Sequence, residues 1–127
     1  MHMNRASLIA QASLYFLGGV NHFWHPAFYL HIMPDHYAHP EALVRASGAA
    51  EILGGIGLLV PTTRRVSAAG IIVMLLVFLD VHQFMLTHHR RFPEVPLWLL
   101  WARIPLQFAL VAWASIYLRR ENAAMAP

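Results

Sequence analysis

Apolar residues along this chain gather into four long runs, at about residues 7–23, 41–60, 66–87 and 96–118, separated by short polar or proline-bearing breaks. A helix needs about 20 predominantly apolar residues to cross the hydrocarbon of a bilayer. The pattern therefore predicts an all-α protein, a four-transmembrane-helix bundle forming one domain over residues 1–127. The first run (SLIAQASLYFLGGVNHF) is too long for the hydrophobic part of a secretory signal and ends without a small-x-small cleavage site, so it is expected to persist as a helix. Residues 24–40 (WHPAFYLHIMPDHYAHP) carry prolines that break a long helix and aromatic side chains suited to a membrane interface. They predict a short interfacial or re-entrant segment between the first and second helices. Pro61 and the turn Thr62-Thr63-Arg64-Arg65 stop the second helix, and Pro96 suits the first turn of the fourth. Pro105, inside that fourth run, predicts a kink beside Arg103 and Gln107.

Composition agrees with the pattern. Of the 127 residues 58% are hydrophobic and only 12% charged, with a mean hydropathy of +0.50, whereas soluble domains carry about 25% charged residues. Cysteine is absent, which removes disulfides, thiolate metal sites and thiol redox chemistry. The net charge of +3 comes with no lysine at all. The arginines cluster at predicted helix ends, a topology signal and not the stripe that binds nucleic acid. With four spans, Arg5, Arg64, Arg65, Arg119 and Arg120 share one face and Arg90 and Arg91 lie on the other. The positive-inside rule then predicts a multi-pass protein of the plasma (inner) membrane with both termini cytoplasmic. Met1-His2-Met3 contributes nothing to this reading.

Ionisable groups inside such runs carry most of the functional information. Glu51, Asp80 and Arg103 each sit within an apolar run, where a charge costs at least about 2.5–3.5 kcal/mol. At a rise of about 1.5 Å per residue, Asp80 and Arg103 both lie roughly 10 Å in from the outer ends of their helices. Glu51 lies deeper, Gln107 shares the face of Arg103 four residues earlier, and Asn21 and His22 close the group from the first helix. Asn21, His22, Glu51, Asp80, Arg103 and Gln107 are thus the predicted ligand-binding cluster, with Arg103 expected to contact Glu51 or Asp80. A structural ion pair that fixes helix register is the alternative. Ser47, Gly48, Ala49, Ala50, Gly54, Gly55 and Gly57 make the second helix narrow, which permits close helix packing or leaves a slot for a flat ligand beside Glu51.

The histidines His22, His25, His31, His36, His39 and His82 are candidates for labile divalent-metal binding, and His22 with His82 for a haem. Their spacing matches no closed tetrahedral site, and interfacial hydrogen bonding is the alternative. Trp98, Trp101, Trp113, Tyr117, Phe23, Trp24 and Tyr29 suit an aromatic belt, with a place lining the Arg103 pocket as the alternative for Trp101. No phosphate loop, metalloprotease helix or serine-nucleophile motif occurs.

Asn21-His22-Phe23 with Pro26, Met33-Pro34, Ala46-Ser47-Gly48 with Glu51, Gly54-Gly55, Gly57-Leu58-Leu59 with Pro61, Arg64-Arg65, and Trp101, Arg103, Pro105 and Gln107 together resemble the DoxX family of small integral membrane proteins. The likeness covers almost the whole chain. It implies a four-helix membrane bundle and carries over Asn21, His22, Glu51, Arg103 and Gln107. The third helix departs from it, with Phe78-Leu79-Asp80-Val81-His82-Gln83 where relatives often have a proline and an Asn-like polar break. Some members are associated with thiosulfate:quinone oxidoreductase or other membrane redox complexes, and more distant ones assist membrane-protein assembly. Two functions are therefore expected: a redox-associated subunit or binder of a quinone-like molecule, or a noncatalytic accessory factor docking a membrane partner through the small face of the second helix. Outer-face metal handling by histidines is a third.

Overall fold

A computed structural model describes residues 4–119. Met1-His2-Met3 and Arg120 lie outside the described residues. Those described are all-helical, with helices α1 (Arg5–Trp24), α2 (Pro26–Ile32), α3 (Pro40–Leu59), α4 (Arg64–Thr87) and α5 (Leu97–Ser115), and 3-10 turns at His89–Arg91 and Ile116–Leu118. Three segments are long and apolar enough to cross a membrane: Pro40–Leu59, Arg64–Thr87 and Leu97–Leu118, with mean hydropathies of 1.4, 2.1 and 1.5.

Local chemistry sets the helix ends. The Asn4 side chain accepts from the Ala6 N–H at 2.8 Å and caps α1. Pro26 and Pro40 occupy the first turns of α2 and α3, where a missing N–H costs no helical bond. At the end of α3 the Thr63 hydroxyl donates to the Gly57 carbonyl (2.9 Å) and Arg64 Nε to that of Leu58 (2.7 Å). Arg65 Nε likewise reaches the Leu118 carbonyl at 2.9 Å. Two arginines of one turn thus neutralise the negative ends of two helices. Pro96 stands as the N-cap of α5, one position before the helix. The helix runs unbroken through Pro105.

Neighbouring long helices pack antiparallel. Gly19 of α1 meets Gly48 of α3, while Ala12 and Phe16 meet Gly55. Gly54 and Gly57 face Ile71 and Ser67 of α4. Gln107 of α5 bonds to Leu75 and His82 of α4, and Arg103 to Met85. Two apolar clusters result. One joins Leu8, Ala12, Tyr15, Leu58, Ala68, Ile71, Leu75, Ala114 and Tyr117 at the end bearing Arg5 and Arg64. The other joins Ile32, Phe84, Met85, Phe92 and Leu100 at the end covered by α2. Large apolar side chains such as Leu53, Val66, Val73 and Leu106 point outward.

Candidate functional site

A cavity of about 110 Å³ lies between the two apolar clusters, lined by His22 of α1, Tyr29 and Ile32 of α2, Met33, Val44 and Ser47 of α3, Phe78, Val81 and His82 of α4, and Arg103 of α5. Every helix contributes. The wall is mainly hydrocarbon, with a few polar groups from different helices, the usual makeup of a small-molecule site. An apolar void of about 150 Å³ accepts benzene, so this smaller cavity has room for no more than a single unsubstituted ring.

The polar groups are held from behind. His82 Nε2 lies 3.1 Å from Gln107 Oε1, and Gln107 Nε2 donates to the Leu75 carbonyl at 2.8 Å. The carbonyl fixes the amide, so Oε1 must accept, and Nε2 of His82 carries the proton. Nδ1 of His82 is left as the acceptor, buried and without a partner among the described residues. On the opposite side His22 Nδ1 lies 2.7 Å from Glu51 Oε2, both residues buried. The separation suits an ion contact, but the ring N–H is not aligned on the oxygen, and neither atom makes a directed hydrogen bond. His22 also tilts against Tyr29, ring centres 3.9 Å apart, and the Tyr29 hydroxyl accepts from Asn21 Nδ2 at 2.7 Å.

Arg103 is placed differently from the sequence expectation. Its Nη1 donates to the Met85 sulfur at 3.0 Å, and among the described residues no carboxylate lies within ion-pair distance. Both expected acids are engaged elsewhere. Glu51 faces His22, while Asp80 accepts from the Tyr37 hydroxyl (2.6 Å) and pairs with His36 Nε2 (2.7 Å). Depth along a helix was legible, but the partner depends on rotation, which turns Asp80 away from the cavity. The expected single cluster is therefore three groups: His22 with Glu51, His82 with Gln107, and Asp80 with the segment after α2. The first two reach the cavity together with Arg103, and Asn21 supports it through Tyr29. A thioether is a weak acceptor for a guanidinium with five donors.

The small face of α3 is also assigned. A Cβ at Gly48 would lie 2.7 Å from His22 Cβ, and one at Gly55 2.6 Å from the Ala12 carbonyl oxygen. The α1 backbone fills the face at Gly48 and Gly55, while Gly54 and Gly57 meet α4, Ser47 lines the cavity, and Ala49 and Ala50 are exposed. Trp101 points outward, away from the cavity.

The remaining histidines disperse. His31 pairs with Glu94 at 3.1 Å, His25 stacks on Trp24, and His36 serves Asp80. Among the described residues no three His, Asp or Glu side chains converge as metal ligands. His22 and His82 do share a cavity, but its volume is well short of a haem. Arg91 donates to Asp35 at 2.8 and 3.3 Å, fastening the end of α2 to the turn before α5. The guanidinium lowers the Asp35 carboxyl pKa and the carboxylate raises that of Arg91, while Asp80 raises that of the Tyr37 hydroxyl by accepting its hydrogen bond. A lowered carboxyl pKa contributes stability above the unfolded value and loses it as pH falls through the folded one. The melting-temperature difference between the unaltered protein and Asp35→Asn should thus be constant above about pH 5 and shrink as the solution is taken below the ordinary carboxylate range. A difference independent of pH would show the pair to be inert.

Gln11 and Tyr15 were missed from sequence, while Ser47 reads there only as a small residue of α3 with a ligand slot as the alternative, and Tyr29 only as a belt aromatic. Gln11 and Tyr15 share one helical face with His22 within an apolar run and could have been found. No curated protein and no solved structure matches the chain. A family described as a domain of unknown function, DUF8561, matches residues 11–118, a span that contains every cavity residue, and the chain belongs to that family.

Proposed function

We propose that the protein is a four-helix bundle of the inner membrane that binds a small amphiphile, with a ring-sized polar head in the His22–His82–Arg103 cavity and an apolar tail toward lipid. The observation that carries this is Arg103, a guanidinium at the cavity wall with a thioether and no carboxylate. Such a charge is costly in an apolar bundle unless something arrives to accept its hydrogen bonds. His82 Nδ1 offers an acceptor in the same wall. A head with an acceptor oxygen and a hydroxyl satisfies both; a quinol has that makeup, while a quinone, whose carbonyls only accept, satisfies Arg103 alone. The DoxX-like order of residues supports a redox-associated role. Because α1 packs antiparallel along α3 from Gly48 to Gly55, a membrane crossed by α3 is crossed by α1 too. The arginine-rich end, with both termini, then lies in the cytoplasm and α2 on the outer face.

Native mass spectrometry of the protein in mild detergent, with ultraviolet absorption of its organic extract, tests the proposal. One ring-containing apolar molecule per chain is expected, lost in Arg103→Gln. Phospholipid and detergent alone, in both proteins, would refute it.

A further inference from the structure

Ser7, Gln11, Tyr15 and His22 lie at spacings of four, four and seven residues, which places them on one face of α1. Gly18 falls on that face as well, and there the Glu51 carboxylate takes the place of a side chain, its Oε1 3.4 Å from where a Cβ would stand. The line runs about 22 Å along the helix axis. At one end Ser7 Oγ is 2.7 Å from the Tyr117 hydroxyl and accepts from Trp113 Nε1 at 2.7 Å. At the other, His22 borders the cavity. Between them Glu51 Oε2 and His22 Nδ1 have only their misaligned 2.7 Å ion contact, while Gln11 is fully buried and its Oε1 and Nε2 and the Tyr15 hydroxyl have no hydrogen-bond partner among the described residues. Each such group costs about 1–3 kcal/mol, a burden a leucine at position 11 would not carry. Buried polar groups aligned along a membrane helix are suited to carrying water and protons.

We propose that this line is a proton path from the arginine-rich end of the bundle to the cavity, with Glu51 as its titrating relay. The proposal rests on the reading of the cavity as a ligand site only for the fate of the proton. A proton enters at the hydroxyls of Ser7 and Tyr117, moves along water held by the Gln11 amide and the Tyr15 hydroxyl, and protonates the Glu51 carboxylate. Glu51 passes it to the His22 ring and so to an oxygen of the bound head, as one of the two protons that a quinone takes up when a reduced membrane electron carrier supplies it with two electrons. No electron moves along the line, and Glu51 and His22 return to their starting forms after each transfer.

Infrared spectroscopy of the protein in lipid nanodiscs after a rapid drop in pH tests it, following the carboxyl band identified by its loss in Glu51→Gln. In Gln11→Leu and Tyr15→Phe the band should appear at least tenfold more slowly, with binding of decylubiquinone unchanged. An unaltered rate in both variants overturns the path. Should either variant fail to fold, magnetisation transfer from water to the Gln11 side-chain amide in the unaltered, ¹⁵N-glutamine-labelled protein decides: transfer supports the path, and none overturns it. If decylubiquinone binds to no form of the protein while Gln11→Leu still slows protonation, the path stands and the ligand reading alone falls.

Discussion

Gly19→Ala is expected to separate α1 from α3 and cost about 3 kcal/mol, the upper end of overpacking penalties, while Gly70→Ala is expected to be neutral or to stabilise by up to about 1 kcal/mol. A Cβ at Gly19 would stand 2.5 Å from the Gly48 carbonyl oxygen and 2.8 Å from the Ile52 nitrogen, atoms of the facing backbone that cannot rotate aside. The same seam forbids a side chain at Gly55, where the Ala12 oxygen and Phe16 nitrogen would be 2.6 and 2.9 Å away. At Gly70 nothing lies within 4 Å, so alanine there only improves helix propensity. Thermal unfolding of the two variants in one detergent reads the contrast. Equal losses at positions 19 and 70 would show that helix propensity and not close approach governs these glycines. Because the seam also sets His22 against Glu51, folded Gly19→Ala protein should retain the α4–α5 side of the cavity and lose its α1 side.

The glycines illustrate what a sequence can carry. Their density on one helix is a plain signal of close packing, yet nothing in the spacing says whether the visiting helix is another protein or, as here, α1 of the same chain. Fold class was legible for a simple reason: long apolar runs without alternation, in a chain with so few charges, leave helices as the only way to satisfy the backbone. The segment at residues 24–40 was legible as broken, but its Pro26 starts a helix of seven residues instead of only preventing one. Membership of the cavity was partly legible. His22, His82 and Arg103 stand out as polar residues in apolar surroundings, and depth along each helix follows from counting. Rotation and pairing do not follow from counting. Asp80 and Arg103 occupy comparable depths on adjacent helices, and still Asp80 turns to His36 and Tyr37 while Arg103 turns to Met85.

That pairing reverses the sign expected for one substitution. Were Arg103 paired with an acid, removing it would strand a buried carboxylate and destabilise the bundle. With Met85 as its acceptor, Arg103→Met should instead stabilise the ligand-free protein by about 2 kcal/mol, since a charge in an apolar helix costs about 2.5–3.5 kcal/mol on insertion scales. The same change should abolish binding in the cavity. A gain in stability accompanied by a loss of function is the signature of a residue kept for its ligand. Unfolding of unaltered and Arg103→Met protein, each freed of bound lipid-soluble molecules, measures the first half. A loss of several kcal/mol would mean that Arg103 has an ionic partner in the folded state and that the open guanidinium is not the basis of the site.

Equilibrium binding of decylubiquinone to the purified protein tests the ligand reading most directly. Saturable binding at one molecule per chain is expected, weakened about 10- to 100-fold in Arg103→Gln, the equivalent of the roughly 1.5–3 kcal/mol carried by a hydrogen bond to a charged group. The double variant His36→Ala, His39→Ala, whose histidines lie outside the cavity, should bind as the unaltered protein does. No saturable binding, or equal affinity in Arg103→Gln and the unaltered protein, would contradict the assignment of this cavity to a polar-headed apolar ligand.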